Sequence, residues 1–118
     1  MRKGISIWAF PSGNTVEDSI RAAAEAGFDG IELALNETGQ LGLDATDAEL
    51  DGYRNAAQQA GIAITSLATG LYWSYPMTSS DAAVREKAKT IVRKQLDAAA
   101  RLGVDAILVV PGAVGVDF

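Results

Sequence analysis

A unit that recurs three times constrains this chain more than any other feature. Each copy opens on a threonine followed three residues later by an acid. It runs on through an alanine-rich stretch, meets a glycine and ends in a short apolar run. The openings are Thr15–Asp18, Thr46–Glu49 and Thr78–Asp81, and the glycines are Gly27, Gly61 and Gly103. Thr-x-x-acid is the capping-box pattern, in which the hydroxyl accepts from an orphan N–H of the first helical turn. A glycine just past the last turn takes the left-handed conformation that closes a helix without a Cβ clash. The apolar runs after the glycines read as strands, ending at Leu33, Leu67 and Val110. A further strand, Gly4 to Phe10, precedes the first helix.

The order is therefore strand, helix, strand, helix, strand, helix, strand. Strict alternation implies an α/β fold with a parallel sheet and right-handed crossovers. On the second strand Ile31, Leu33 and Leu35 share one side, and Gly30, Glu32, Ala34 and Asn36 share the other. On the first, Ile5, Ile7 and Ala9 oppose Ser6, Trp8 and Phe10. The third helix is the longest, roughly Ser80 to Leu102, with an apolar stripe of Val84, Ala88, Ile91, Ala99 and Leu102. Its mixed charges, Lys87 among them, read as a solvated outer face rather than a nucleic-acid surface.

Four strands and three helices are a poor place for such a sheet to stop, because both edges stay open. A whole (β/α)₈ barrel has ~250 residues, about twice the 118 present here. The expected fold is thus a single domain, residues 1–118, forming the N-terminal half of a TIM barrel. The run from Gly112 to Phe118 reads as a loop with no helix after it. A complete doubly wound sheet is the competing fold. It normally needs a fifth strand and a phosphate-binding first turn, and Pro11-Ser12-Gly13-Asn14 carries no G-x-G-x-x-G.

Composition narrows the chemistry. The chain has neither cysteine nor histidine. That excludes disulfides, thiolate catalysis and Cys-ligated zinc, and removes the commonest general base and neutral metal ligand. A net charge of −5 argues against a nucleic-acid surface. No stretch approaches the ~20 apolar residues of a membrane span, and the start lacks a signal-peptide pattern. A cytoplasmic, soluble protein is the expectation.

The run Ala26-Gly27-Phe28-Asp29-Gly30-Ile31-Glu32-Leu33 carries a family likeness, together with Ala60-Gly61-Ile62, Tyr75-Pro76 through Asp81 to Arg85, and Leu102-Gly103-Val104-Asp105-Ala106-Ile107 leading to Val110-Pro111-Gly112. With these motifs the chain resembles the xylose isomerase-like barrel superfamily, and within it the sugar-phosphate isomerases and epimerases. The resemblance implies a divalent metal, Mn or Mg, in the full-length parent, with ligands and proton-transfer carboxylates on strands of the other half. It implies no cofactor bound by this portion and no catalytic residue in it. The implied partner is a small sugar or sugar phosphate. The superfamily's apurinic-site endonuclease branch needs several histidine ligands and is set aside.

Seven residues are the candidate substrate wall. Trp8 and Phe10 end the first strand, and Tyr72 and Trp73 follow the third; such rings stack on sugar faces or simply pack loops. Glu32 lies near the C-terminal end of the second strand, where barrel chemistry occurs. It orients a hydroxyl or serves as a paired structural acid. Asn36, beside Glu37, either bonds hydroxyls or turns the chain. Gly112 allows close backbone approach to a substrate or turns the chain. Asp44 and Asp47 read as helix-start acids rather than a metal pair. The alternative function is a stand-alone half barrel whose open edges drive self-association into a homo-oligomeric binding module.

Overall fold

Local capping chemistry sets the helices. In the computed structural model, which describes residues 1–112, the Thr15 hydroxyl accepts from Asp18 N at 3.0 Å and starts α1 (Val16–Glu25). Thr46 does the same for α2 (Asp47–Ala60), accepting from Glu49 N at 3.2 Å. Gly27, Gly61 and Gly103 follow the helices with φ between 71° and 80°, which a Cβ would oppose. The part of the terminal run covering residues 113–118 lies outside the described residues.

Three parallel strands, β1 (Gly4–Ser6), β2 (Gly30–Leu35) and β3 (Ala63–Thr69), pair in sequence order. Sequential parallel strands joined by helices form the wall of a (β/α) barrel, here a partial one. Gly4 pairs with Gly30 and Ser6 with Glu32, while Glu32 also pairs with Ser66. The register slips by one residue between Ile31 and Glu32, leaving Thr65 as the extra residue of a bulge. Gly30 is fixed by that bulge, because a Cβ there would stand 2.3 Å from Thr65 Cγ2.

The expected alternation on β2 holds. Ile31, Leu33 and Leu35 join Leu67 in a core with Val16, Ile20 and Ala23 of α1, Leu50, Tyr53 and Ala57 of α2, and residues of the long helix. Gly30, Glu32 and Ala34 face the other way. α1 packs on α2, and α2 on the long helix.

Three expectations change. The first strand stops at Ser6, not Phe10: Ile7–Ala9 form a 3-10 turn closed by Phe10 N donating to Ile7 O at 3.1 Å. The ladder of β1 ends at the Ser6–Glu32 pair, and local bonding takes over. Second, Tyr72 and Trp73 do not follow the third strand as plain loop. Leu71–Ser74 form a single helical turn, α3, and the long helix is α4 (Ala82–Leu102). Its cap is Asp81, whose carboxylate accepts from Ala83 N at 2.8 Å, and not Thr78. The run before it is already turned by Ser79 N donating to Pro76 O.

Third, the fourth strand is reduced to one parallel bridge, Leu67 to Ile107. Leu67 N donates to Ala106 O at 3.1 Å and Leu108 N to Leu67 O at 3.0 Å. Gln95 holds this junction from the middle of the α4 stripe. It is fully buried, and its Nε2 donates to Leu67 O at 2.8 Å and Leu108 O at 3.1 Å. A buried amide is stable only with its partners in place.

Candidate functional site

Parallel strands put all their C-terminal ends at one edge of the sheet, so segments far apart in sequence converge there. The 3-10 turn after β1 brings Trp8. Asn36 and Glu37 follow β2, and Gly70, Leu71 and Trp73 follow β3. With Leu35 they line a cavity of about 380 Å³. Trp8 is 57% exposed and Trp73 53%. These are the chain's two tryptophans, and both leave large ring surface facing solvent at this edge. A second cavity, also about 380 Å³, adjoins it and shares Trp8 and Asn36. Phe10, Asn14, Ala34 and Gln40 contribute to its lining.

Asn36 is fixed in place. Its Nδ2 donates to Gln40 O at 2.9 Å and Ala34 O at 3.4 Å, and its backbone N to Leu41 O at 2.8 Å. Its amide oxygen is then the group it can offer. Glu37 accepts the Tyr75 hydroxyl at 2.8 Å, and Lys87 Nζ lies 3.5 Å from the same oxygen. Lys87 Nζ also sits 5.3 Å from the Tyr75 ring centroid, within cation–π range. The hydrogen bond to Glu37, with its charge, pushes the Tyr75 hydroxyl above the usual phenol range.

The loop carrying Asn36 and Glu37 is anchored at both sides. Leu41 is fully buried in a left-handed conformation, φ 50°. Its N–H donates to Glu49 Oε1 at 2.8 Å and to the Tyr53 hydroxyl at 3.2 Å. Tyr53 in turn donates to Glu49 at 2.6 Å, and burial together with that carboxylate pushes its hydroxyl well up. Gln40 Oε1 accepts from Val16 N at 2.8 Å, tying the loop to the start of α1.

Glu32 stands apart from both cavities, on the inner face of β2. Ser66 Oγ donates to its Oε2 at 2.8 Å. Across the sheet on the other side, Ser6 Oγ is buried with no hydrogen-bond partner among the described residues. No group of three His, Cys, Asp or Glu able to hold a metal occurs among the described residues.

Two expected wall residues sit elsewhere. Tyr72 is buried in the core, and its hydroxyl donates to Gln95 Oε1 at 2.7 Å; burial pushes that hydroxyl up. Adjacent residues on one helical turn diverge, so Trp73 faces the cavity and Tyr72 does not. Gly112 does allow a close approach, but to Thr78: a Cβ there would stand 2.1 Å from Thr78 Oγ1. The wall of this cavity also includes residues the sequence did not single out, Gly70 and Leu71, and the support of Glu37 by Tyr75 and Lys87. The signal for that support lies in a contact spanning 38 residues, which local patterning does not carry.

A larger cavity, about 690 Å³, lies at the opposite end, where β3 begins and α4 ends, and is lined by Asp51, Arg54, Ile64 and Arg101 among others. Arg101 is committed there to a bidentate pair with Asp51. That end of a barrel serves stability rather than chemistry.

The sequence profile described as xylose isomerase-like TIM barrel matches residues 20–117. L-ribulose-5-phosphate 3-epimerase UlaE of Shigella flexneri serotype 5b is 29% identical over 106 residues, 88% of this chain and 37% of the relative. The enzyme of the same name from Salmonella paratyphi B is 31% identical over 111 residues, again 88% and 37%. A crystal structure of D-psicose 3-epimerase in the presence of D-fructose superposes with a TM-score of 0.75 at 28% identity, covering 91% of this chain and 36% of that one. The D-psicose 3-epimerase with D-tagatose from Clostridium cellulolyticum H10, at 23% identity and TM-score 0.71, shares the fold. The chain spans 37% of the length of these curated relatives.

Proposed function

The chain belongs to the xylose isomerase-like TIM barrel family, and on that premise we propose that it supplies part of the substrate-binding wall of a sugar or sugar-phosphate isomerase or epimerase. The parent reaction moves a proton on the carbon beside a carbonyl. The share of this chain is binding. The rings of Trp8 and Trp73 cover the apolar C–H face of a sugar and exclude water, while Asn36 and Glu37 accept from its hydroxyls. Phe10 extends the wall into the adjoining cavity. Glu32, oriented by Ser66, orders the inner face beneath.

The observation that carries this reading is the convergence of two exposed tryptophans and two hydroxyl acceptors at the C-terminal edge of a parallel sheet. Relatives named for both a phosphorylated pentulose and a free ketohexose support the substrate class. The Mn or Mg ion that the resemblance implies has its expected ligands on strands of the other half, and among the described residues no group of three His, Cys, Asp or Glu could hold it. Nothing in this reading passes through a metal, and no catalytic residue is assigned. Among the described residues no helix is long and apolar enough to cross a membrane, and a cytoplasmic place is part of the same proposal.

Both tryptophans line the cavity, so their emission reports on it directly. Titration with ketoses up to ~10 mM, tenfold above the usual KM range, should quench or shift it saturably. Trp8→Phe and Trp73→Phe should each weaken binding. Emission indifferent to every ketose tested would remove the wall from consideration. A second reading, closure of two copies on each other, is favoured by Ser6 Oγ and the outer edge of β1, neither of which has a hydrogen-bonding partner among the described residues. Light scattering distinguishes it, since it requires a discrete dimer.

A further inference from the structure

Among the described residues, the cavity between Trp8 and Trp73 holds one ionised side chain in its lining, Glu37, and no cation. The cation beside it is Lys87, whose ammonium is already answered by Glu37 at 3.5 Å and by the Tyr75 ring. Tyr75 and Lys87 come from different segments, one following α3 and one in the second turn of α4. Together they fix the carboxylate at the cavity rim rather than let it swing into solvent.

A phosphate monoester carries roughly two negative charges at neutral pH and needs cationic or N–H donors. Beside Glu37 it would meet a like charge instead, and like-charge juxtaposition rejects a ligand more sharply than lost contacts do. An uncharged polyol end meets the opposite situation. Its hydroxyls donate to Glu37 and to the Asn36 amide oxygen, and its C–H faces lie on indole.

We propose that this cavity receives the uncharged, hydroxyl-bearing end of a sugar, and that Glu37, held by Tyr75 and Lys87, is the residue that excludes phosphate from it. The inference rests on the wall reading above and adds the direction in which the substrate lies. Glu37 is a specificity-determining residue here, and Tyr75 and Lys87 are positioning residues.

The test is a titration of tryptophan emission in the full chain with D-fructose and with D-fructose 6-phosphate. The phosphate ester should bind at least tenfold more weakly. Glu37→Gln, which keeps an acceptor oxygen but loses the charge, should bring the two ligands within threefold of each other through tighter binding of the ester. Lys87→Gln, which leaves the carboxylate uncompensated, should widen the gap. Inorganic phosphate should not displace fructose. An ester that binds as tightly as fructose overturns the proposal, and so does equal weakening of both ligands by Glu37→Gln, the mark of a purely structural role. In both cases the wall itself stands. Silence of the emission toward both sugars removes the wall and this inference together. Circular dichroism of each variant confirms that the fold is kept.

Discussion

β2 turns Ile31, Leu33 and Leu35 toward the helices and Gly30, Glu32 and Ala34 toward the opposite face, and the two sets differ in bulk at most steps and in charge at Glu32. The helix-covered face is filled by branched side chains with no exposed surface or nearly none. The inner face is built from glycine, serine, alanine and one carboxylate, aligned across three strands by the Ser6–Glu32–Ser66 row. Close-packed branched residues supply most of the stability of such a layer. Small and polar ones leave room at the centre of a barrel and set the geometry of what lies there. The contrast teaches that one strand serves two ends, and that the period of two keeps them separate.

The sharpest way to break the comparison is to empty the helix side. Leu33→Ala should cost about 3 kcal/mol of unfolding free energy, as truncation of a fully buried leucine does. Urea denaturation measures it, and a loss under ~1 kcal/mol would mean that this face is not the stabilising one. Next in size is Gln95→Leu. It removes the amide that serves Tyr72, Leu67 and Leu108, leaving their polar groups buried and unpaired. A loss of about 2 kcal/mol is expected, with hydrogen exchange quickening first at Leu108. The smallest effect should come from the inner face. Glu32→Gln keeps an oxygen for Ser66 Oγ to donate to, and should change stability by less than ~1 kcal/mol. A cost equal to that of Leu33→Ala would make Glu32 a structural acid and erase the distinction between the faces.

Much of the helix-covered face is legible in the sequence, because its causes are local. Thr15 and Thr46 are caps by their own hydroxyls, and Ile31, Leu33 and Leu35 alternate visibly. The misreadings have non-local causes. Thr78 has the spacing of a cap, yet Asp81 takes the role because Pro76 and Ser79 have already turned the chain. The first strand looks continuous to Phe10, but its partner ladder ends at Ser6. Tyr72 and Trp73 are adjacent aromatics with opposite fates. The inward tyrosine has its hydroxyl answered by Gln95, inserted among the apolar residues of α4 and 23 residues away in sequence. The candidate site shows the same division. Trp8, Phe10, Asn36 and Trp73 could be named from their strand ends. The Glu37–Tyr75–Lys87 cluster could not, since it exists only once three separate segments meet.

Leu41 has a consequence for how this molecule can vary over time. A non-glycine residue in the left-handed region costs ~1–2 kcal/mol, and here its side chain is buried and its amide is gripped by Glu49 and Tyr53. Insertions or deletions on its C-terminal side would tear that anchorage away. Between Glu37, held by Tyr75 and Lys87, and the left-handed Gly39, the exposed Thr38 bears no such constraint among the described residues. Changes of side chain can therefore accumulate at that one rim position, while the scaffold around it is inherited unaltered.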